Sequence, residues 1–235
     1  MFKEKLLKRA VASYAGEHVL NRILENGEDA LKLGAQVINL TIYFQDIVGF
    51  TAVSEDLSPE KVVHLLNDYL TIMTDTIEEH NGIVDRYIGD AIMAFWGAYG
   101  EPDHPDSACA CALAALHQAR LVSERFGSDG AQPLRLTVGI NTGKVFLGNF
   151  GSPDRFQYTI LGDAVNLVSR LERANKHYGT DILLSEFTKK ELSDQSNVIE
   201  VDSIQVKGIT SPVKLYTLQP ASFQPDNPAD GFRRR

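Results

Sequence analysis

Cysteine is scarce in this 235-residue chain: Cys109 and Cys111 are the only two, and no CxxC spacing occurs. They stand two apart in an alanine-rich stretch expected to be helical, on different helix faces, so no mutual disulfide is expected. The reading is two small core residues in a reducing compartment. Long apolar runs are missing too. The longest, Ala108–Leu116, falls far short of the roughly 20 residues that cross a bilayer. The first 20 residues hold no continuous apolar core of the signal-peptide kind. A cytoplasmic chain, or the cytoplasmic piece of a larger one, fits. No GxxxxGK[ST], HExxH or GxSxG pattern occurs, which removes Walker-type, zinc-protease and serine-hydrolase chemistry. Basic residues are in short supply, with 23 Lys+Arg against 31 Asp+Glu and a net charge of −8. Residues 1–9 and 221–235 hold seven of those basic side chains and three acidic ones, leaving −12 on the rest. Such a field argues against nucleic acid. An anionic substrate would need a few placed cations or metal ions.

What is present is an ordinary globular composition, 43% apolar and 23% charged, which excludes global disorder. Residues 1–35 read as a helical segment with an apolar repeat at three- and four-residue steps, too thin to fold alone. Val37–Phe44 alternates as a strand with one apolar face. Ser58-Pro59 opens a long helix that Asn81-Gly82 closes. Ile83–Ile88 and Ala91–Trp96 form a hairpin around Gly89-Asp90, and a second long helix spans about 106–126. Arg135–Ile140 and Lys144–Phe150 flank Asn141-Thr142-Gly143, which reads as another hairpin turn. Gly162–His177 is helical, with strands expected near 181–184, 198–205 and 213–218. Pro220, Pro225 and Pro228 mark 220–235 as a flexible tail. The order β-α-β-β-α-β points to an α+β, ferredoxin-like core with additional C-terminal strands, and not to the βα alternation of a Rossmann fold.

Five residues or pairs carry possible chemistry. Asp46 ends the first apolar strand, where a carboxylate is either a helix cap or a metal ligand. Asp90 sits at a hairpin tip, where Asp is common for turn reasons alone. If their strands are neighbours, the two acids meet at one sheet edge and offer hard oxygen donors to Mg²⁺ or Mn²⁺. Asn166 and Arg170, at i and i+4, share one helix face as an amide–guanidinium clamp or as a solvated polar face. Arg86 alternates with Val84 and Ile88 on a mostly apolar strand face and so needs a partner, a carboxylate or a ligand. Lys207, beside Gly208, is either an exposed turn lysine or a phosphate contact.

In order, Phe44-x-Asp46-Ile-Val-Gly-Phe-Thr51, Gly82–Gly97, Val138–Gly143, Gly148–Arg155 and Tyr158–Glu172 resemble the class III nucleotidyl cyclase catalytic domain over residues 36–219. The resemblance is closest to bacterial adenylate cyclases. It implies a head-to-tail homodimer with active sites at the subunit interface. Asp46, Asp90 and the backbone of Ile47 would hold two Mg²⁺ or Mn²⁺ ions. Asn166 and Arg170 of the other subunit would serve catalysis. Phe50, Thr51, Arg86, Thr159 and Lys207 would bind substrate. The implied reaction is in-line attack of a ribose 3′-hydroxyl on the α-phosphorus, releasing pyrophosphate.

Base choice departs from the family pattern. Adenylate-forming members usually carry Lys four residues before the second metal Asp, and Asp or Thr seven before the Asn; here these are Arg86 and Thr159. Arg has donors only, so it suits adenine N1, while Thr159 accepts from the N6 amine. ATP is favoured, GTP less so, and the forked guanidinium keeps a pyrimidine triphosphate open. A catalytically silent nucleotide-binding module is the other class of reading, although all four of Asp46, Asp90, Asn166 and Arg170 are kept. The Gly-Gly-Asp-Glu-Phe signature of diguanylate cyclases is absent. The N-terminal helices stand where family members often carry a signal-transducing helix, so the resemblance implies a sensor, either in the same protein or acting with it.

Overall fold

The computed structural model describes residues 2–55, 57–126, 134–205 and 212–218. Lys207 and the 220–235 tail lie outside the described residues. The expected first strand is longer than its alternating stretch: β1 runs Gly34–Ile47. It is preceded by α1 (Phe2–Ala15), α2 (Glu17–Asn26) and a 3-10 turn (Gly27–Leu31). After it come α3 (Phe50–Glu55), α4 (Pro59–Glu79), β2 (Ile83–Ile88), β3 (Ala91–Trp96) and α5 (His104–Phe126). Then follow β4 (Leu136–Ser152), β5 (Arg155–Leu161), α6 (Asp163–Tyr178), β6 (Ile182–Ser185), α7 (Glu186–Glu191), β7 (Val198–Ile204) and β8 (Val213–Leu218). Ser58 caps α4 through the Lys61 amide, and Pro59 takes its first position, where a missing N–H costs nothing.

The strands form one sheet in the order β2-β3-β1-β4-β6-β8-β7, with β5 also paired to β4. The first four, linked through α4 and α5, have the ferredoxin-like arrangement. One face carries α4 and α5 over a core of Tyr43, Trp96, Tyr69, Met73 and Ile140. The opposite face packs Leu40, Ile42, Met93 and Phe95 against β5 and α6 through Ile160 and Val168. A smaller core joins α6 to the later strands through Leu167, Leu171, Leu183 and Leu215. Both cysteines are buried and unpaired, and burial pushes each thiol up to about 12.

The turn expected at Asn141-Thr142-Gly143 does not form. β4 passes straight through it and pairs antiparallel with β1 over 14 positions, from Gly34↔Asn149 to Ile47↔Leu136. The hairpin lies later, between β4 and β5, with Ser152 opposite Arg155. Turn-type residues survive mid-strand because distant partners satisfy them. Asn141 donates to the Ala164 carbonyl at 3.0 Å and accepts from Ser185 Oγ at 2.6 Å. Thr142 Oγ1 meets Thr41 Oγ1 at 2.8 Å and donates to Thr188 Oγ1 at 3.2 Å. Thr41 in turn meets His104 Nδ1 at 2.8 Å.

Strand alternation also fails at Arg86. The β2–β3 register shifts between Val84 and Arg86, so Val84 lies opposite Ala94 and Arg86 opposite Met93. The extra residue is Asp85. A bulge turns consecutive side chains to one side, and Arg86 thereby leaves the α4 face, where Val84 packs, for the face of Met93.

Candidate active site

The first site element is built at the ends of two paired strands. β1 and β3 are antiparallel with Gln45 opposite Ile92, which carries Asp46 and Asp90 to the same end. Gly89, at φ 66, takes the left-handed conformation that the β2–β3 turn needs and a side chain resists. Asp46 Oδ1 accepts the amide of Ile47 at 3.0 Å. Burial pushes the Asp46 carboxyl up to about 7, and the adjoining Asp90 carboxyl and the charge of Glu172 add to the rise. Two acids held together at this cost are relieved by a cation. Among the described residues no group of three or more His, Cys, Asp or Glu could hold a metal by itself. Two carboxylates still suit Mg²⁺ or Mn²⁺, which bind through one or two protein carboxylates and take further oxygens from substrate phosphates and water. The donor set fits such an ion.

Glu172 is a residue that the sequence reading left without a role. It is buried on α6 and accepts from Thr137 Oγ1 at 2.7 Å, and Thr137 lies opposite Asp46 in the ladder. Burial and the Asp90 charge both raise its pKa. Its position after Arg170 inside the recognised helical block was the available signal.

The second element joins β2 to β5. Arg86 donates from Nε to Asp85 Oδ2 at 2.6 Å and from a terminal nitrogen to Thr159 Oγ1. Thr159 Oγ1 donates to Asp85 Oδ1 at 2.7 Å. The Asp85 side chain is fully buried. β5 packs over the sheet face that carries Met93, so this clasp ties the outer strand β2 to β5 across that face. Asp85 and Arg86 face a cavity of about 820 Å³ that α2 closes with His18 and Arg22. Arg22 lies over the Tyr158 ring, 4.8 Å from its centroid. Burial lowers the His18 pKa, against the opposing charge of Asp85.

Asn166 and Arg170 are both exposed on α6. Among the described residues neither side chain makes a hydrogen bond or ion pair within the chain, to Asp46 and Asp90 or to any other group. Their helix is seated closely, because Gly139 on β4 lets the α6 backbone touch the strand: a Cβ there would lie 2.4 Å from Val168 O. Phe50 packs partly against the α4–α5 core. Thr51 is exposed, its carbonyl accepting from Ser54 Oγ at 2.8 Å.

Comparison with known proteins places this arrangement. The family model for the adenylate and guanylate cyclase catalytic domain matches residues 35–220, and the chain belongs to that family. It is similar to adenylate cyclase 1 of Rhizobium meliloti, at 32% identity over 206 residues, 87% of this chain and 31% of that protein. It therefore spans about a third of the length of that curated relative. The crystal structure of the adenylyl cyclase CyaB from P. aeruginosa superposes with TM-score 0.73 at 34% identity, covering 80% of this chain and 97% of that one. The guanylyl cyclase Cya2 gives TM-score 0.70 at 35% identity, covering 79% and 94%. Catalytic domains of this family bind nucleotide, generally use divalent ions and are often dimeric. No helix among the described residues is long and apolar enough to cross a membrane.

Proposed function

We propose that the chain converts ATP into 3′,5′-cyclic AMP and pyrophosphate, at sites shared between two copies in a head-to-tail homodimer. The convergence of Asp46 and Asp90 carries the reading, because two acids adjoining at the end of paired strands, with the Asp46 carboxyl raised by its surroundings, are the donor set for a metal–triphosphate. These carboxylates and the Ile47 carbonyl would hold two divalent ions, Mg²⁺ or Mn²⁺. When bound, the ions supply positive charge that eases deprotonation of the ribose 3′-hydroxyl and neutralises the leaving pyrophosphate.

The partner copy would supply the rest. Asn166 would hydrogen-bond the ribose and align its 3′-oxygen for in-line attack. Arg170 would donate to the α-phosphate oxygens as charge builds there. Their exposure, and the absence of side-chain partners for them among the described residues, suit a role toward a molecule outside the chain. Arg86 would donate to adenine N1 and Thr159 would accept from the N6 amine. The named relatives do not decide the base, since an adenylyl and a guanylyl cyclase match almost equally well. Arg86 does bear on it: a donor-only side chain leaves guanine N1–H unpaired, a mismatch that discriminates strongly. The same fork suits cytosine N3 and O2, so CTP is the second reading. Lys207 is proposed near the terminal phosphates, and Phe50 and Thr51 beside the substrate.

The test is product formation with Mn²⁺ and each of ATP, GTP, CTP and UTP. Cyclic AMP as the main product is expected. A confirmed dimer that forms no cyclic product from any of the four would overturn the enzymatic reading in favour of a silent nucleotide-binding module.

A further inference from the structure

Asp85 has no role in the chemistry outlined so far, yet it is the hub of the β2–β5 clasp. Both carboxylate oxygens are committed: Oδ2 takes Arg86 Nε–H at 2.6 Å and Oδ1 takes the Thr159 hydroxyl at 2.7 Å. Its side chain is fully buried, whereas that of Arg86 is 32% exposed. The consequence lies in what remains for a ligand. A threonine hydroxyl is one donor with two lone pairs, and guanidinium has five N–H donors and no acceptor. Thr159, itself buried, spends its hydrogen on Asp85 and one lone pair on Arg86, so all it has left to offer a ligand is one acceptor. Arg86 keeps three N–H donors.

We propose that Asp85 is a positioning residue for base selection: by fixing the Thr159 hydroxyl and the Arg86 fork, it makes the base subsite one acceptor beside a set of donors. This rests on the proposed base-reading role of Arg86 and Thr159. That pattern complements an exocyclic amine next to an unprotonated ring nitrogen, as in adenine or cytosine. It opposes a keto oxygen next to a ring N–H, as in guanine or uracil. Without Asp85, Thr159 can rotate and donate to a keto oxygen, and the guanidinium loses its anchor. The bulge is what makes the device possible, because only there do neighbouring residues on one strand point the same way.

The experiment compares kcat and KM for ATP, GTP, CTP and UTP, with Mn²⁺, in the parent chain and in Asp85→Asn, Asp85→Ser and Asp85→Glu. Thermal melting reports whether each is folded. Loss of hydrogen bonds to a charged group should lower the ATP:GTP ratio of kcat/KM roughly tenfold or more in the Asn and Ser variants. The change should fall mainly on KM. Glu keeps the charge and should restore much of the preference. Arg86→Ala and Thr159→Val are measured alongside. If these two shift the base profile while folded Asp85→Asn or Asp85→Ser stays within twofold of the parent, Asp85 is only a strut and the positioning role is overturned. If none of the variants shifts the profile, the base-reading role of Arg86 and Thr159 falls as well.

Discussion

At the residue scale, Asp46 makes the sharpest statement, because its cost can be measured. Its ordinary carboxyl value is 3.8, and in the fold it titrates near 7. The folded chain therefore holds an extra proton between those values and loses stability as pH rises from about 4 to about 7. Asp46→Asn removes that loss. It should melt like the parent near pH 4 and higher than the parent near pH 8. Asp46 is only partly buried, so solvent screening limits the gain to about 1 kcal/mol, or about 2–4 °C for a chain of this size. Mn²⁺ should raise the melting temperature of the parent at pH 8, do little at pH 5, and do little for Asp46→Asn at either pH. Melting curves with and without the ion check all three. An Asp46→Asn curve that tracks the parent at both pH values would show that no strained carboxylate pair exists there.

At the scale of elements, α6 is positioned by what its strand lacks. A methyl on Gly139 would lie 2.4 Å from Val168 O and 2.6 Å from Glu172 N, both backbone atoms that cannot rotate away. Gly139→Ala must push the helix outward, at about 1–3 kcal/mol. Asn166 and Arg170 would move with it, so turnover should drop about tenfold or more while circular dichroism stays near that of the parent. Elements also show how far the sequence was legible. Helix α4, the β2–β3 hairpin and the acid at its tip were readable because caps, turns and periodicity are local signals. The Asn141-Thr142-Gly143 stretch misled because its partners, Thr41, Ala164, Ser185 and Thr188, come from three other parts of the chain. Arg86 was placed on the wrong face because an inserted bulge residue leaves no mark on an alternating pattern. Thr159 and the base-reading role of Arg86 came from family likeness, but that Asp85 ties them together emerges only once β5 has packed over the sheet.

At the scale of the whole molecule, the proposed function gives one chain two half-sites: the acids at one strand end, and Asn166 and Arg170 exposed on α6. If active sites are shared between copies, then Asp46→Ala and Arg170→Ala proteins should each be nearly inactive alone. Mixed in equal amounts, they should recover up to about a quarter of parental activity, since half of randomly exchanged dimers are mixed and each mixed dimer holds one intact site of two. Failure to recover, with subunit exchange shown by differently tagged chains, would argue for a site within one chain.

The long β1–β4 ladder holds a further consequence, in the accuracy of assembly. Two strands paired over 14 positions could slide by two residues and still keep every apolar side chain on its proper face. The buried Thr41, Asn141 and Thr142 act as a key against that error, since sliding would strand them away from His104, Ser185 and Thr188. Each polar group orphaned in this way costs about 1–3 kcal/mol. A slip of two residues would also carry Asp46 about 7 Å along the ladder, away from its place opposite Thr137 and beside Asp90. The polar key in mid-strand therefore works as a proofreading device: it rejects near-correct pairings that the hydrophobic pattern would accept, and so fixes where the acids come to rest.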